Sequence, residues 1–126
     1  MDIEMNKQNT DTLCNTFTCL YNKNFYFECN DGWFDLIHDL SEKLNKLILK
    51  IPEEQHEYIK ATQVKEKFGT LRFYMSTGID KIFDLIKVAE KKSAKICEIC
   101  GQIGQVRTGA GGWLITLCND CYKKRQ

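Results

Sequence analysis

Apolar positions in this chain recur at two different periods, and the switches between them mark its elements. Trp33, Ile37, Leu40, Leu44, Leu47 and Ile51 follow one another at steps of three and four. That spacing predicts an amphipathic helix with one buried face. Asp31 stands where an N-cap belongs, Asp35 suits the first turn and Lys50 the last. Pro52 ends the run, because proline turns the preceding residue away from helical angles. The polar stretch 53–60 is long enough for a short helical turn. Beyond it the period falls to two. Val64, Glu66 and Phe68 alternate with charged residues, and Leu71, Phe73 and Met75 alternate with Arg72 and Tyr74. With Gly69 between the two runs, the pattern predicts a β-hairpin with one buried face. Helical spacing returns in Ile79, Ile82, Phe83, Ile86, Ala89 and Ser93, after Thr77 and Asp80 in capping-box positions. Lys81, Lys87, Glu90, Lys91 and Lys95 fall on the other side of that helix.

Helix, hairpin and helix in succession predict an α+β domain over 13–95, two helices packed on one face of a small antiparallel sheet. Phe25, Tyr26 and Phe27, after the turn-like Asn22-Lys23-Asn24, are placed to begin a third strand over 25–29. Residues 1–12 are polar and predict a disordered N-terminus. Nothing there resembles the apolar core of a secretory signal, and no apolar run approaches the roughly 20 residues of a membrane span. A cytoplasmic protein is therefore expected.

Seven cysteines among 126 residues change the picture. In a reducing compartment they point to metal rather than disulfides. Cys97 and Cys100 precede Gly101, and Cys118 and Cys121 follow seventeen residues later. Two residues between cysteines allow a tight turn to aim both thiolates at one ion, and two such pairs supply a tetrahedral shell. Gly101 permits the sharp turn that directs backbone N–H groups toward sulfur. Gly109, Gly111 and Gly112 mark a hairpin turn between the pairs, and Trp113, Ile115 and Leu117 an alternating strand into the second pair. Residues 96–126 are thus expected to form a zinc module of treble-clef or ribbon type. Iron in a rubredoxin-like site is the alternative metal. Four cysteine ligands leave no open position for water, so the expected role of zinc is structural and an enzyme is not expected.

Charge divides along the chain. Residues 1–90 hold 11 Lys and Arg against 15 Asp and Glu, and residues 91–126 hold 7 against 2. The basic end carries Lys91, Lys92, Lys95, Arg107, Lys123, Lys124 and Arg125, a candidate nucleic-acid surface. Neutralisation of a four-thiolate centre accounts for the same charges. Lys65 to Tyr74 interleave basic and aromatic residues as single-strand binders do, although alternation favours a core role for Phe68 and Phe73. Cys14, Cys19 and Cys29, with His38 or His56, match no ligand spacing, and packed thiols are the expectation. Glu53, Glu54, Glu57 and Glu66 have no nucleophile at a motif spacing, and the glycines at 109–112 lack the lysine of a phosphate loop.

The cysteine spacing resembles the DksA/TraR-type zinc finger, without the long coiled-coil hairpin through which polymerase binding would be inferred. The strings GWFDLIHDLSEKL (32–44), QVKEKFGTLRFYM (63–75), CEICG (97–101) and GGWLITLCNDC (111–121) together resemble a family of small phage and prophage proteins. That resemblance implies a mobile-element accessory protein with a zinc-finger tail. It further implies a non-enzymatic role, such as binding or inhibiting a host protein or defence complex in the host cytoplasm.

Overall fold

The central helix forms where the apolar period places it. In a computed structural model of the protein, which describes residues 3–125, a 3₁₀ turn at Asp31–Trp33 leads into α2 at Phe34–Leu49. A first helix, α1, precedes it at Lys7–Thr16. Trp33, Ile37, Leu40 and Leu44 are buried as the spacing predicts. Leu36 and Ile48 join them, while Leu47 and Ile51 are only half-buried. The face thus runs nearer to steps of four, through the buried Ser41. The Ser41 hydroxyl donates to the Ile37 carbonyl and pairs with the Tyr21 hydroxyl at 2.6 Å, so its polarity is satisfied inside the core.

Asp31 does not cap α2. Its Oδ1 instead accepts from the Asn6 backbone N–H at 2.9 Å and from Asn9 Nδ2 at 3.1 Å. Those bonds correct the expectation of disorder over 1–12 for its described part. Asn6 caps α1 by accepting from the Asn9 N–H at 2.8 Å. Met5 donates its N–H to the Phe27 carbonyl, and Met5, Leu13 and Phe17 are buried. Three apolar side chains and one cap hold a segment whose average composition is polar. Residues 1 and 2 lie outside the described residues.

The hairpin is β1 (Ala61–Lys67) and β2 (Thr70–Met75), antiparallel, with Val64 opposite Phe73. Phe68 and Gly69 make the two-residue turn, both at positive φ, 54° and 86°. Phe68 is therefore a turn residue, 65% exposed, and only Phe73 of that pair enters the core. Residues 25–29 contribute one bridge rather than a third strand. The Glu28 N–H donates to Val64 and its carbonyl accepts from Glu66, while on the opposite side the Phe27 carbonyl accepts from Met5. The other edge of the sheet is closed by side chains. Leu71 and Phe73 of β2 donate their N–H groups to Ser93 Oγ and Glu90 Oε2, at 2.8 and 3.0 Å.

Both acceptors lie on α3, Asp80–Ser93, which packs on β2 and on α2. Ile82, Ile86, Ala89 and Ser93 are its buried stripe, whereas Ile79 and Phe83 are exposed. The Thr77–Asp80 capping box is not formed: Ile79 is the N-cap and no side chain bonds there. A 3₁₀ stretch at Glu53–Tyr58 fills the link between α2 and β1. The fold is α+β, with two small antiparallel sheets and a C-terminal cluster of four cysteines. No helix among the described residues is long and apolar enough to cross a membrane.

Candidate metal centre

After α3 the chain makes the Cys97–Cys100 turn, then β3 (Gln105–Thr108), a tight turn at Ala110–Gly112, β4 (Leu114–Leu117) and α4 (Asn119–Lys124). Knuckle, hairpin and helix in that order are the treble-clef arrangement. In β3 and β4, Gln105 pairs with Leu117 and Thr108 with Leu114, which returns the second cysteine pair to the first. Cys118 is the N-cap of α4, its sulfur accepting from the Cys121 N–H at 3.4 Å.

The four sulfurs of Cys97, Cys100, Cys118 and Cys121 lie within 4.8 Å of one another, and those of Cys100 and Cys118 are 3.6 Å apart. A zinc tetrahedron with bonds of about 2.3 Å would space its sulfurs by about 3.8 Å. The four cysteines lie close enough together to hold a metal ion. Cys97 and Cys118 are buried, Cys121 is half-buried and Cys100 faces solvent.

Local electrostatics prepare the cluster for that role. Burial acts to raise the Cys97 thiol, but backbone N–H groups of Cys100, Cys118 and Ile99 outweigh it and hold the group at about 7. Cys121 goes the other way, pushed up to about 12 by burial and by the neighbouring thiols. A cation bound at the cluster would draw off the thiol protons. Gly101 has φ +83° and donates its N–H to the Cys97 carbonyl at 2.9 Å.

The residue between these cysteines that sequence reasoning missed is Glu98. It is fully buried. Its Oε2 accepts from both the backbone N–H and Nδ2 of Asn30, each at 3.0 Å, and its Oε1 has no partner among the described residues. Burial raises its pKa, opposed by the Asn30 N–H. Its backbone is engaged too, the N–H donating to Thr116 and the carbonyl accepting from Gly32 at 2.7 Å. Trp33 Nε1 donates to the Ile96 carbonyl at 2.9 Å, and Thr116 Oγ1 to the Gly69 carbonyl at 2.6 Å. The cysteine module is therefore bonded to the start of α2 and to the tip of the first hairpin. A glutamate between two zinc-type cysteines carries no signal of burial in a sequence; only the fold supplies Asn30.

The remaining candidates separate. Among the described residues, Cys14, Cys19 and Cys29 form no ligand cluster with either histidine. The Cys14 thiol lies 3.6 Å from the Phe25 carbonyl, and Cys29 is buried in the core. His38 packs against Phe17 and Phe34, and His56 Nε2 bonds the Ile51 carbonyl. Of the basic set, Lys91, Lys92 and Lys95 are exposed at the end of α3, and Lys123, Lys124 and Arg125 at the end of α4. Arg107 is occupied internally. Its guanidinium lies over the Tyr122 ring at 4.4 Å, with Nε on the Leu117 carbonyl and Nη2 on Asn119 Oδ1.

No protein-family model, curated protein or solved structure matches this chain.

Proposed function

We propose that this protein is a non-enzymatic binding protein whose four cysteines hold a structural zinc ion. The observation that carries the reading is the position of the cluster. Four cysteines lie close enough to supply a tetrahedral shell, and residues among and beside them bond to Asn30, Gly32, Trp33 and Gly69. A metal there fixes one surface to another, and leaves no coordination site for a reacting water. Zinc suits four thiolates and needs no redox partner; iron is the competing ion.

The fixed surfaces are of the kind that meets a protein. Trp113, on the turn before β4, is 73% exposed, and Tyr26 and Phe68 are 54% and 65% exposed. Exposed aromatic side chains supply much of the energy of protein interfaces. With the resemblance to phage and prophage proteins, this supports an accessory role in which the chain binds, and can inhibit, a host protein or defence complex in the host cytoplasm. The test is affinity capture with the tagged full chain from a bacterial host. A specific partner should be retained by wild type and lost by a Phe68→Ser/Trp113→Ser variant. Recovery of the same proteins with both baits would contradict the reading.

The exposed lysines and arginine at the ends of α3 and α4 favour a second reading, nucleic-acid binding. It requires a salt-dependent gel shift that weakens when Lys91, Lys92, Lys95, Lys123, Lys124 and Arg125 are replaced by serine. Arg107 is left out of that set because its guanidinium is held by Tyr122 and Asn119.

A further inference from the structure

A cleft of about 600 Å³ lies between the N-terminal segment, β1 and the tip of the cysteine module. Tyr26 and Trp113 are among its walls, and Glu4, Glu28 and Glu66 supply three carboxylates. Lys65 is the one basic residue among the described residues of the lining, and Ile3 adds an apolar side chain. Two of the acidic side chains are held in place. Glu28 accepts from Gln63 Nε2 at 3.3 Å, and Glu66 Oε2 accepts from the Gly69 N–H at 3.1 Å. The cleft thus combines exposed aromatic faces with fixed carboxylates and a surplus of negative charge.

We propose that this cleft receives an arginine side chain from a basic segment of a partner protein. Guanidinium is the cation that fits both wall types. It is planar, it stacks on aromatic faces, and it forks onto carboxylates, whereas an ammonium acts as a hydrated point charge. Phosphate-bearing ligands are repelled by the same three carboxylates. The assignment rests on the protein-binding reading and gives it a chemistry.

The chain carries its own probe. Trp33 is fully buried and Trp113 is 73% exposed, so ligand-induced changes in tryptophan emission and acrylamide quenching report on the cleft. The zinc-loaded full chain is titrated with a short Gly/Ser peptide carrying two arginines. Lysine and glutamate versions of the peptide, and a uridine 12-mer, serve as comparisons. The expected result is a saturable blue shift with protection of Trp113, strongest for arginine and absent for glutamate. A Glu4→Gln/Glu28→Gln/Glu66→Gln variant should weaken binding about tenfold or more. Trp113→Leu, read by anisotropy of a labelled peptide, should weaken it as well, with zinc content and far-UV dichroism of both variants unchanged. Equal affinity in the glutamine variant, equal response to the glutamate peptide, or protection by the uridine 12-mer instead would overturn the proposal. Concentration-dependent protection without peptide would assign the cleft to a second copy of the chain, and overturns it too. If affinity capture still recovers the partner with both variants, the binding-protein reading stands and the cleft assignment alone falls.

Discussion

Cys97 is a buried member of the four-cysteine cluster proposed to hold the ion. Cys97→Ser removes one of four sulfurs and leaves a hydroxyl that ionises far less readily. Zinc content, measured by mass spectrometry after dialysis, should fall from one ion per chain to well below one. Retention of a full equivalent would show that the ion sits elsewhere. Glu98 acts beside it by fastening the turn to Asn30. Glu98→Ala leaves both Asn30 donors without that acceptor, and should destabilise the chain by about 1–3 kcal/mol in urea. Gly32 faces the same junction from the other side. A Cβ there would collide with the backbone carbonyls of Cys97 and Glu98. Gly32→Ala should therefore cost roughly 3 kcal/mol, since backbone on both sides must move. An unchanged urea midpoint in either variant would show that the module does not lean on this contact.

At the scale of elements, period and punctuation made α2, α3, both hairpins and the cysteine cluster legible, because burial on one face and paired cysteines write themselves into spacing. Trp33, Ile37 and Leu40 are examples. What was not legible depends on partners distant in sequence. The helix α1 forms because Asp31 holds Asn6 and Asn9, 25 and 22 residues away, and a local reading assigns Asp31 to its own helix. Phe68 matched the alternation of β1 but lies in the turn, where the left-handed backbone turns it to solvent. That conformation suits asparagine better than a bulky side chain. Phe68→Asn should raise stability by about 1 kcal/mol, seen as a higher urea midpoint with an unchanged slope. A lower midpoint would mean that Phe68 contributes packing in the folded chain. Glu98 escaped notice for the same reason as α1, its partner Asn30 being 68 residues away.

For the whole molecule, the acidic N-terminal part and the basic C-terminal part are joined through the cysteine turn. Ile96, Glu98 and Thr116 bond to Trp33, Asn30, Gly32 and Gly69, so loosening the cluster should be felt in the main core. Chelation of the metal should lower the thermal midpoint and red-shift the emission of Trp33, whose indole N–H is held by Ile96. A melting curve indifferent to chelator would separate the module from the core. The measurement that bears most directly on the central claim is zinc K-edge X-ray absorption on the purified full chain. One ion per chain with four sulfur neighbours at about 2.3 Å is the expected result. A shell containing nitrogen or oxygen ligands, or a protein that purifies without zinc and does not take it up, would contradict it.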